Sequence, residues 1–222
     1  MDKQACVTAR RTLRDLLPAW AWDALAGHQR RAHRAGEVLL RQGEPGTHVL
    51  LLIRGMVKVV RDDIEGRQRL LAFRGPGEVL GEMAVRTGEV RLARVQTMTD
   101  CRVSVVPARD FRDFVKQHGL AEELEIHGLH RLREHTECVE GDLDGRLAAA
   151  LLQLMEISAK QVFSLTRDEL AQHLNVGRNS ISGALERFGP QCVRTGRTSV
   201  EVLDAARLRA LRDRRIPRGR SA

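Results

Sequence analysis

The chain has 222 residues, of which 42% are hydrophobic and 30% charged, and its formal net charge is +8. That apolar share is enough for a sizeable core, which excludes wholesale disorder, and no apolar run approaches the roughly 18 residues of a membrane helix. Tyrosine is absent and the aromatic content is 3%, which argues against binding by base stacking on aromatic side chains. No apolar segment follows residues 1–4, so we expect no signal peptide. We also expect no membrane partner and a cytoplasmic location.

The positive charge is concentrated near the end of the sequence. Residues 205–222 hold seven arginines and one aspartate, which is +6 of the +8, whereas residues 1–204 carry 30 basic and 28 acidic side chains. A basic excess favours a polyanionic partner. Two interpretations stay open for the tail: it adds non-specific attraction for a phosphate backbone, or it is a solvated face.

The four cysteines are widely separated, at positions 6, 101, 138 and 192, and none forms a Cys-x-x-Cys pair. This spacing argues against a zinc site and against a disulfide scaffold. It is typical of a protein of a reducing compartment. Cys101 lies in a strand-like run and is predicted to be a small buried hydrophobic residue.

A short helical region is predicted first, and a β-rich region follows it. Residues 13–28 have leucines spaced for one helical face, with Pro18 interrupting them. From Gly36 to about Pro107, short β-rich runs alternate with glycines, which predicts an antiparallel sandwich or barrel with a hairpin tip at residues 63–66. The predicted strands cover residues 38–40, 49–53, 56–60, 69–73 and 102–106.

The apolar period changes to that of a helix at Ala108. A narrow stripe with strongly charged flanks follows Gly119, and this width is typical of a seam between two helices. We therefore predict a long helix that packs against a copy of itself; the alternative is a helix packed on its own β-domain. The stripe consists of Leu120, Leu124, His127, Gly128 or Leu129, Leu132 and Thr136.

The pattern breaks at residues 140–142, which predicts a hinge. Asp142 or Asp144 is expected to cap the next helix, which is strongly apolar over residues 145–156. A domain boundary is therefore expected near residues 139–143.

Residues 166–188 carry the most specific motif of the sequence. Thr166 and Glu169 form a capping box, so a helix is predicted to begin at Arg167. Asn175 tolerates the left-handed backbone of a tight turn, and Gly177 can cap a second helix beginning at Arg178. Residues 193–202 read as strand, glycine turn and strand, so the whole segment predicts a winged helix-turn-helix.

The exposed face of the second helix is the predicted DNA-reading surface. Arginine in the first turn can bridge guanine O6 and N7, and asparagine can bridge adenine N6 and N7. Other polar residues are expected to contact phosphates, which position a protein without specifying sequence. The alternative is an ordinary helical hairpin with nothing in a groove. The DNA-binding candidates are Arg167, Arg178, Asn179, Ser180, Ser182, Gly183, Arg187, Thr195 and Arg197, with Ser180, Arg187, Thr195 and Arg197 assigned to phosphates.

Four stretches in order resemble the cyclic-AMP receptor protein/FNR (CRP/FNR) family of bacterial transcription regulators. The stretches are residues 36–44, 53–59, 81–93 (Gly81 to Ala84 and then Arg91 to Ala93) and 166–188. The resemblance covers about residues 20–210. It implies an α+β fold with an N-terminal double-stranded β-helix (a jelly-roll-like domain of the cyclic-nucleotide-binding type), a long dimerisation helix and a C-terminal winged helix-turn-helix.

This resemblance assigns a role to each predicted domain. Residues 1–107 form the β-roll sensor, residues 108–139 the dimerisation helix, and residues 140–222 the DNA-binding domain with its basic tail. The implied function is that of a homodimeric transcription regulator, not an enzyme, that binds double-stranded DNA at a palindromic site. RNA polymerase is a further candidate partner.

The resemblance also implies an effector site for a cyclic nucleotide such as cAMP. In family members that bind nucleotides, a carboxylate at the position of Glu82 accepts from the ribose 2′-hydroxyl, and an arginine at the position of Arg91 pairs with the cyclic phosphate. Leu92 stands where those members have a hydroxyl residue. The candidate effector residues are Gly81, Glu82, Met83, Ala84, Arg91, Leu92, His135 and Thr136.

Alternatives to a cyclic-nucleotide effector stay open. With Leu92 in place of a hydroxyl residue, the chain is alternatively a regulator that is independent of an effector or answers to another small molecule. Glu82 and Arg91 would then form an internal ion pair. An iron–sulfur cluster is not expected, because FNR-type members cluster cysteines near the N-terminus and Cys6 is alone there. A cupin-type metalloenzyme is a distant alternative, because His28, His33 and His48 lack the expected His-x-His pairing.

Overall fold

The computed structural model describes residues 11–137 and 141–213. Cys6, Cys138, Glu140 and the tail from residue 214 onward lie outside the described residues, and so does the side chain of His135. The described chain begins with helices α1 (Leu13–Leu16) and α2 (Ala19–Ala26). Pro18 is the N-cap of α2, so the predicted interruption of the helical region is confirmed.

Eight strands form two four-stranded antiparallel sheets that face each other as a β-roll. The first sheet has the order β1-β8-β3-β6 and the second the order β2-β7-β4-β5. Each predicted strand is present, whereas β1, β6 and β7 were not predicted, because they are short or lack apolar alternation. The strands are β1 (Gln29–His33), β2 (Val38–Leu40), β3 (His48–Arg54), β4 (Val57–Asp62), β5 (Gln68–Arg74), β6 (Val79–Leu80), β7 (Arg94–Thr97) and β8 (Cys101–Pro107).

Strand β3 is buried on both faces, which explains why its sequence is apolar without alternation. Leu50 and Leu52 point into the roll interior, whereas Val49 and Leu51 belong to the layer packed against the helices. Cys101 lies in the roll interior as predicted, and burial raises the pKa of its thiol to about 11.

A short helix, α3 (Glu82–Thr87), connects β6 to β7, and two helices, α4 (Ala108–Gln117) and α5 (Ala121–Glu137), follow the roll. The chain turns between α4 and α5 at Gly119, whose φ of +65° favours glycine.

The prediction that the whole apolar stripe of α5 faces a second copy of the chain is partly wrong. Leu120, Leu124 and His127 are buried against the chain's own β-roll and its N-terminal helices, because the roll offers an apolar surface that covers them. Leu129 and Leu132 lie on the opposite side of α5, and each is 64% exposed. The face left for a partner is therefore that of Leu129 and Leu132.

The second half of the described chain is a winged helix domain. Asp142 caps its first helix by accepting from the Gly145 backbone N–H, which decides between the two predicted caps. Three short strands form a separate sheet in the order β10-β11-β9. The elements are α6 (Leu143–Ser158), β9 (Val162–Phe163), α7 (Arg167–Leu174), α8 (Arg178–Phe188), β10 (Val193–Thr195), β11 (Val200–Val202) and α9 (Ala205–Asp213).

The helix-turn-helix follows the sequence prediction closely. The Thr166 hydroxyl accepts from the Glu169 N–H while the Glu169 carboxylate accepts from the Thr166 N–H, which is the predicted capping box. Asn175 ends α7 in the left-handed region at φ +53°, and Gly177 is the N-cap of α8. Ile181, Ala184, Leu185 and Phe188 form the buried face of α8.

The winged helix packs directly against the second sheet of the β-roll. Met56, Val60, Leu70 and Phe73 of the roll belong to the same buried cluster as the core of the winged helix. The ring of His173 on α7 lies 4.9 Å from that of Phe73, measured between centroids. Apolar burial of this kind favours one fixed arrangement of the two domains.

Candidate effector cavity and DNA-binding surface

A cavity of about 230 Å³ opens into the β-roll beside α3. Most of its walls are aliphatic, because strands of the roll direct alternate side chains inward. Four charged residues interrupt these walls: Arg74, Glu82, Arg91 and Arg131. The aliphatic lining consists of Leu40, Val59, Leu71, Ala72, Leu80, Met83, Ala84, Leu92, Ala93 and Val95.

Arg91 is a charged residue of the cavity that has a buried hydrogen-bond donor without a partner in the described chain. The residue is 4% exposed; its Nη2 donates to the His48 carbonyl at 2.8 Å, whereas Nη1 is buried with no hydrogen-bond partner in the described chain. Burial lowers the pKa of Arg91, and the carboxylates of Glu44 and Glu82 oppose that shift. An arginine remains protonated under such a shift, so a buried cation with an open donor faces the cavity.

Gly81 makes room for that guanidinium. A Cβ at this position would lie 2.1 Å from Arg91 Nη1 and 2.9 Å from Leu40 Cδ1, and the backbone of Gly81 has φ +83°. Both the contact and the left-handed backbone therefore require glycine here. The structure thus brings Gly81 and Arg91 together, as the resemblance implied.

Glu82 pairs with Arg131 of α5, not with Arg91. Arg131 Nη1 donates to Glu82 Oε1, and its Nη2 donates to the Val79 carbonyl at 2.6 Å and to Glu78 Oε2 at 3.1 Å. The predicted alternative of a Glu82–Arg91 ion pair is therefore wrong, because a nearer cation from a distant helix holds the carboxylate. Desolvation lowers the pKa of Arg131, but the carboxylates of Glu82, Glu78 and Glu134 raise it more, so the net shift is upward.

A second contact of α5 lies next to Arg131. His127 Nε2 is 2.8 Å from Glu78 Oε2, and both side chains are 2% exposed. His127 and Arg131 are four residues apart and therefore share one helical face. That spacing was visible in the sequence, but it did not reveal that the facing surface carries two carboxylates.

Of the other predicted effector residues whose side chains are described, Met83, Ala84 and Leu92 line the cavity and Thr136 does not. Met83 and Leu92 line the cavity and are exposed, and Ala84 is a buried lining residue. Thr136 is exposed on α5, and its hydroxyl donates to the Leu132 carbonyl of its own helix at 3.1 Å. Two lining residues, Arg74 and Arg131, were missed, because no local pattern marks them.

The first turn of α8 forms the exposed part of the predicted DNA-reading surface. Arg178, Asn179 and Ser180 are exposed, whereas Ser182 and Gly183 are half-buried. Arg178 Nη1 lies 3.5 Å from Asp168 Oδ2, a solvent-exposed pair that costs little to break. Its guanidinium is therefore available to a base edge.

The predicted phosphate contacts differ in how firmly they are held. Arg187 Nε donates to Asp144 Oδ2 at 2.9 Å, and this hydrogen bond to Asp144 raises the pKa of Arg187. Arg167 Nη2 donates to the Thr195 hydroxyl at 2.9 Å, which joins α7 to the wing. Arg197 is exposed in the wing turn.

Residues 11–137 and 141–213 contain no group of three or more His, Cys, Asp or Glu side chains that could hold a metal ion. None of the helices in these ranges combines the length and the apolar character of a membrane span.

A β-roll that encloses a cavity, joined to a winged helix, is the arrangement of a ligand-binding domain and a DNA-binding domain on one chain. Comparisons with known proteins agree with this class. The family described as "Cyclic nucleotide-binding domain" matches residues 30–118, and the family described as "Crp-like helix-turn-helix domain" matches residues 145–211.

Curated proteins and a solved structure extend the similarity over most of the chain. The "Cyclic AMP receptor protein" of Thermus thermophilus is 31% identical over 197 residues, which are 83% of this chain and 88% of that protein. A "CRP-like cAMP-activated global transcriptional regulator" of Mycobacterium tuberculosis is 27% identical over 186 residues, 78% of this chain and 83% of that protein. A crystal structure of a CRP/FNR-family transcriptional regulator from Thermus thermophilus has a TM-score of 0.71 and 26% identity, covering 85% of this chain and 100% of that chain.

This chain belongs to the CRP/FNR family of transcription regulators. It is a transcription regulator with a cyclic-nucleotide-binding domain and a helix-turn-helix DNA-binding domain, as the sequence predicted.

Proposed function

We propose that this protein is a homodimeric, non-enzymatic regulator whose affinity for a palindromic DNA site is set by a cyclic nucleotide in the β-roll cavity. The observation that carries the effector assignment is Arg91, which lines the cavity and whose buried Nη1 has no hydrogen-bond partner in the described chain. Leaving such a donor unpaired is unfavourable. An anion that accepts a hydrogen bond from it therefore gains binding free energy.

The cavity around Arg91 fits the remaining chemistry of a cyclic nucleotide. A cyclic phosphate carries a single negative charge, which one buried guanidinium can balance. The aliphatic walls suit a base and a sugar, both of which offer apolar surface. The names of the curated relatives point to cAMP as the nucleotide to test first.

DNA recognition is assigned to the first turn of α8. Arg178 and Asn179 are exposed there, and they are the side chains that read guanine and adenine in a major groove. Ser180, Arg187, Thr195 and Arg197 are proposed to contact phosphates. In a symmetric dimer the two copies of α8 read half-sites roughly 34 Å apart, one turn of DNA.

The proposed dimer forms through the exposed face of α5. Leu129 and Leu132 are three residues apart on the helix, and each is 64% exposed. Two leucines on one face, with charged residues beside them, match a narrow seam between two helices better than a solvated surface. The proposed occupant of this face is α5 of a second copy.

Thermal unfolding of the purified protein with cAMP, cGMP and the non-cyclic control 5′-AMP tests the effector. A nucleotide at about 100 times its Kd stabilises the folded state by roughly 2.7 kcal/mol, which is a readily measured shift in Tm. We expect such a shift with a cyclic nucleotide and a smaller one with 5′-AMP. No shift with either cyclic nucleotide at millimolar concentration would refute the effector assignment. Transcription with purified RNA polymerase on a fragment carrying the binding site tests the polymerase as a partner.

A regulator that needs no nucleotide is the second candidate, and two observations favour it. The carboxylate of Glu82 is already held by Arg131, and the side chain of Leu92 at the mouth offers no hydrogen-bond donor. The recognition helix would then bind its site equally well with and without nucleotide. The same Tm series, repeated with the bound DNA duplex, separates the two candidates.

A further inference from the structure

Three side chains, each in contact with the next, connect the wall of the effector cavity to the DNA-binding domain. Arg74 lines the cavity, and its Nη1 donates to Glu134 Oε2 of α5 at 2.9 Å. The other carboxylate oxygen of Glu134 accepts from the side-chain amide of Gln153 on α6. A single carboxylate therefore contacts both the cavity wall and the first helix of the winged domain.

Glu134 lies on the same part of α5 as a residue that contacts the cavity. Glu134 lies one helical turn after Arg131, which holds Glu82 and Glu78 at the cavity. The same stretch of α5 is thus fixed to α3 by one side chain and to β5 and α6 by another. A shift of α5 relative to the cavity must therefore be transmitted to α6, or else the Glu134 contacts must break.

The buried environment makes the Arg74–Glu134 pair sensitive to an added charge. The side chain of Arg74 is 7% exposed and that of Glu134 is 23% exposed, so water screens their attraction weakly. An anion that enters the cavity attracts Arg74 and competes with Glu134 for it. Any such competition changes how tightly Glu134 holds Gln153.

The end of β5 also touches α6 directly. A Cβ on Gly75 would lie 2.4 Å from Cγ2 of Ile157, so this strand and this helix are in close contact beside the three polar residues. Close packing of this kind transmits small displacements, because it leaves no space to absorb them.

We propose that Glu134 is a positioning residue that couples the effector cavity to the DNA-binding domain, through Arg74 on one side and Gln153 on the other. This inference rests on the proposed control by a cyclic nucleotide and names its route. The coupling is reciprocal, so bound DNA changes nucleotide affinity by the same factor by which the nucleotide changes DNA affinity.

Gln153→Leu is the most informative variant. It removes the contact with α6 and leaves the Arg74–Glu134 pair in place, so the cavity keeps its charges. Gln191→Leu is the matched control, because Gln191 is an exposed residue of the same domain. Glu134→Gln is a second test, which keeps the size of the side chain and removes its charge.

The experiment measures Kd for a duplex selected from a random pool by the wild-type protein, with and without cAMP or cGMP, and Kd for the nucleotide itself. We expect Gln153→Leu to reduce the ratio of the two DNA Kd values by about threefold or more, while nucleotide Kd stays within about twofold of wild type. Gln191→Leu should leave both quantities unchanged. A ratio equal to that of wild type in both Gln153→Leu and Glu134→Gln would overturn the proposal.

Failure of the effector assignment is distinguishable from failure of the coupling. If the wild-type protein binds neither nucleotide, the proposed effector is wrong. Hydrogen exchange of the α6 amides then tests whether Glu134 couples the cavity wall to the DNA-binding domain. Arg74→Gln, a change at the cavity wall, should accelerate exchange in α6 as Gln153→Leu does. Exchange in α6 that is unchanged by Arg74→Gln would refute the coupling without reference to any nucleotide.

Discussion

Lys58 on β4 donates from Nζ to Oε1 of Glu169 at 2.6 Å, although the two residues are 111 positions apart. Glu169 is also the reciprocal partner in the capping box that begins α7. One carboxylate thus both starts the helix-turn-helix and fixes it on the β-roll. Desolvation raises the pKa of Glu169, but the bonds from Lys58 and the Thr166 N–H outweigh it, and the pKa lies below its ordinary value of 4.5.

This depressed pKa predicts how stability depends on pH. A carboxyl group with a lowered pKa contributes stability above its ordinary value, and the contribution is lost as the pH falls through the lowered value. We expect Lys58→Met to reduce the free energy of unfolding at pH 7 by about 1.5–3 kcal/mol. The variant should also lose less stability than wild type between about pH 5 and pH 3, as urea titrations at each pH would measure.

Lys116→Met is a suitable control for this prediction, because Lys116 is exposed on α4. It should leave both the free energy of unfolding and its pH dependence unchanged. Parallel pH profiles for wild type and Lys58→Met would contradict the role of the Lys58–Glu169 pair.

Arg91→Gln should abolish nucleotide binding. The substitution removes the buried positive charge that faces the cavity and keeps a side chain of similar polarity. We expect the Tm shift produced by a cyclic nucleotide to disappear, with little change in the Tm of the protein alone. Arg86→Gln on α3 is the control, and a nucleotide shift that survives in Arg91→Gln would show that another residue holds the anion.

Leu92→Ser should strengthen nucleotide binding. Leu92 is exposed at the cavity mouth, so its loss leaves little cavity behind, and serine adds a hydroxyl donor beside Arg91. A gained hydrogen bond of about 1 kcal/mol corresponds to roughly fivefold lower Kd. Calorimetric titration with cAMP would measure the change; an equal or higher Kd would mean that the hydroxyl does not reach the ligand.

Arg178→Ala should weaken sequence preference while leaving non-specific binding. The arginine reads base edges from the first turn of α8, whereas phosphate contacts and their salt dependence come from other residues. We expect loss of about 1–3 kcal/mol in discrimination between the selected site and a scrambled duplex, measured by fluorescence anisotropy at two salt concentrations. Arg194→Ala, which removes an exposed arginine paired with Glu201 in the wing, serves as the control. Preserved discrimination in Arg178→Ala would place the reading face elsewhere.

Leu132→Glu should prevent dimer formation. A charge in the centre of an apolar seam is buried without a partner in the dimer, which costs several kcal/mol, but it is harmless on an exposed helix of the monomer. Sedimentation should give a folded monomer, and its Tm should lie below that of the wild-type dimer because the dimer contact no longer stabilises the folded state. A dimer that persists in Leu132→Glu would place the interface on a surface other than that of Leu129 and Leu132.

The sequence by itself determined the helix-turn-helix. The Thr166–Glu169 capping box, the left-handed turn at Asn175 and the cap at Gly177 each depend on residues within one or two turns of one another, so short-range physics decides them. Most strands of the β-roll were likewise predicted, because apolar runs between glycines are a local signal.

Only the tertiary structure decided what those elements meet. Arg131 reaches Glu82 across 49 positions and Lys58 reaches Glu169 across 111, and nothing in the local sequence marks these pairs. For the same reason the sequence could not show which apolar residues of α5 face its own β-roll and which face a partner. Leu124 and Leu132 have the same chemistry, and only the shape of the surface facing each one determines which is buried. Local backbone preferences act within a few residues, whereas charge pairing and burial depend on neighbours that the fold brings together.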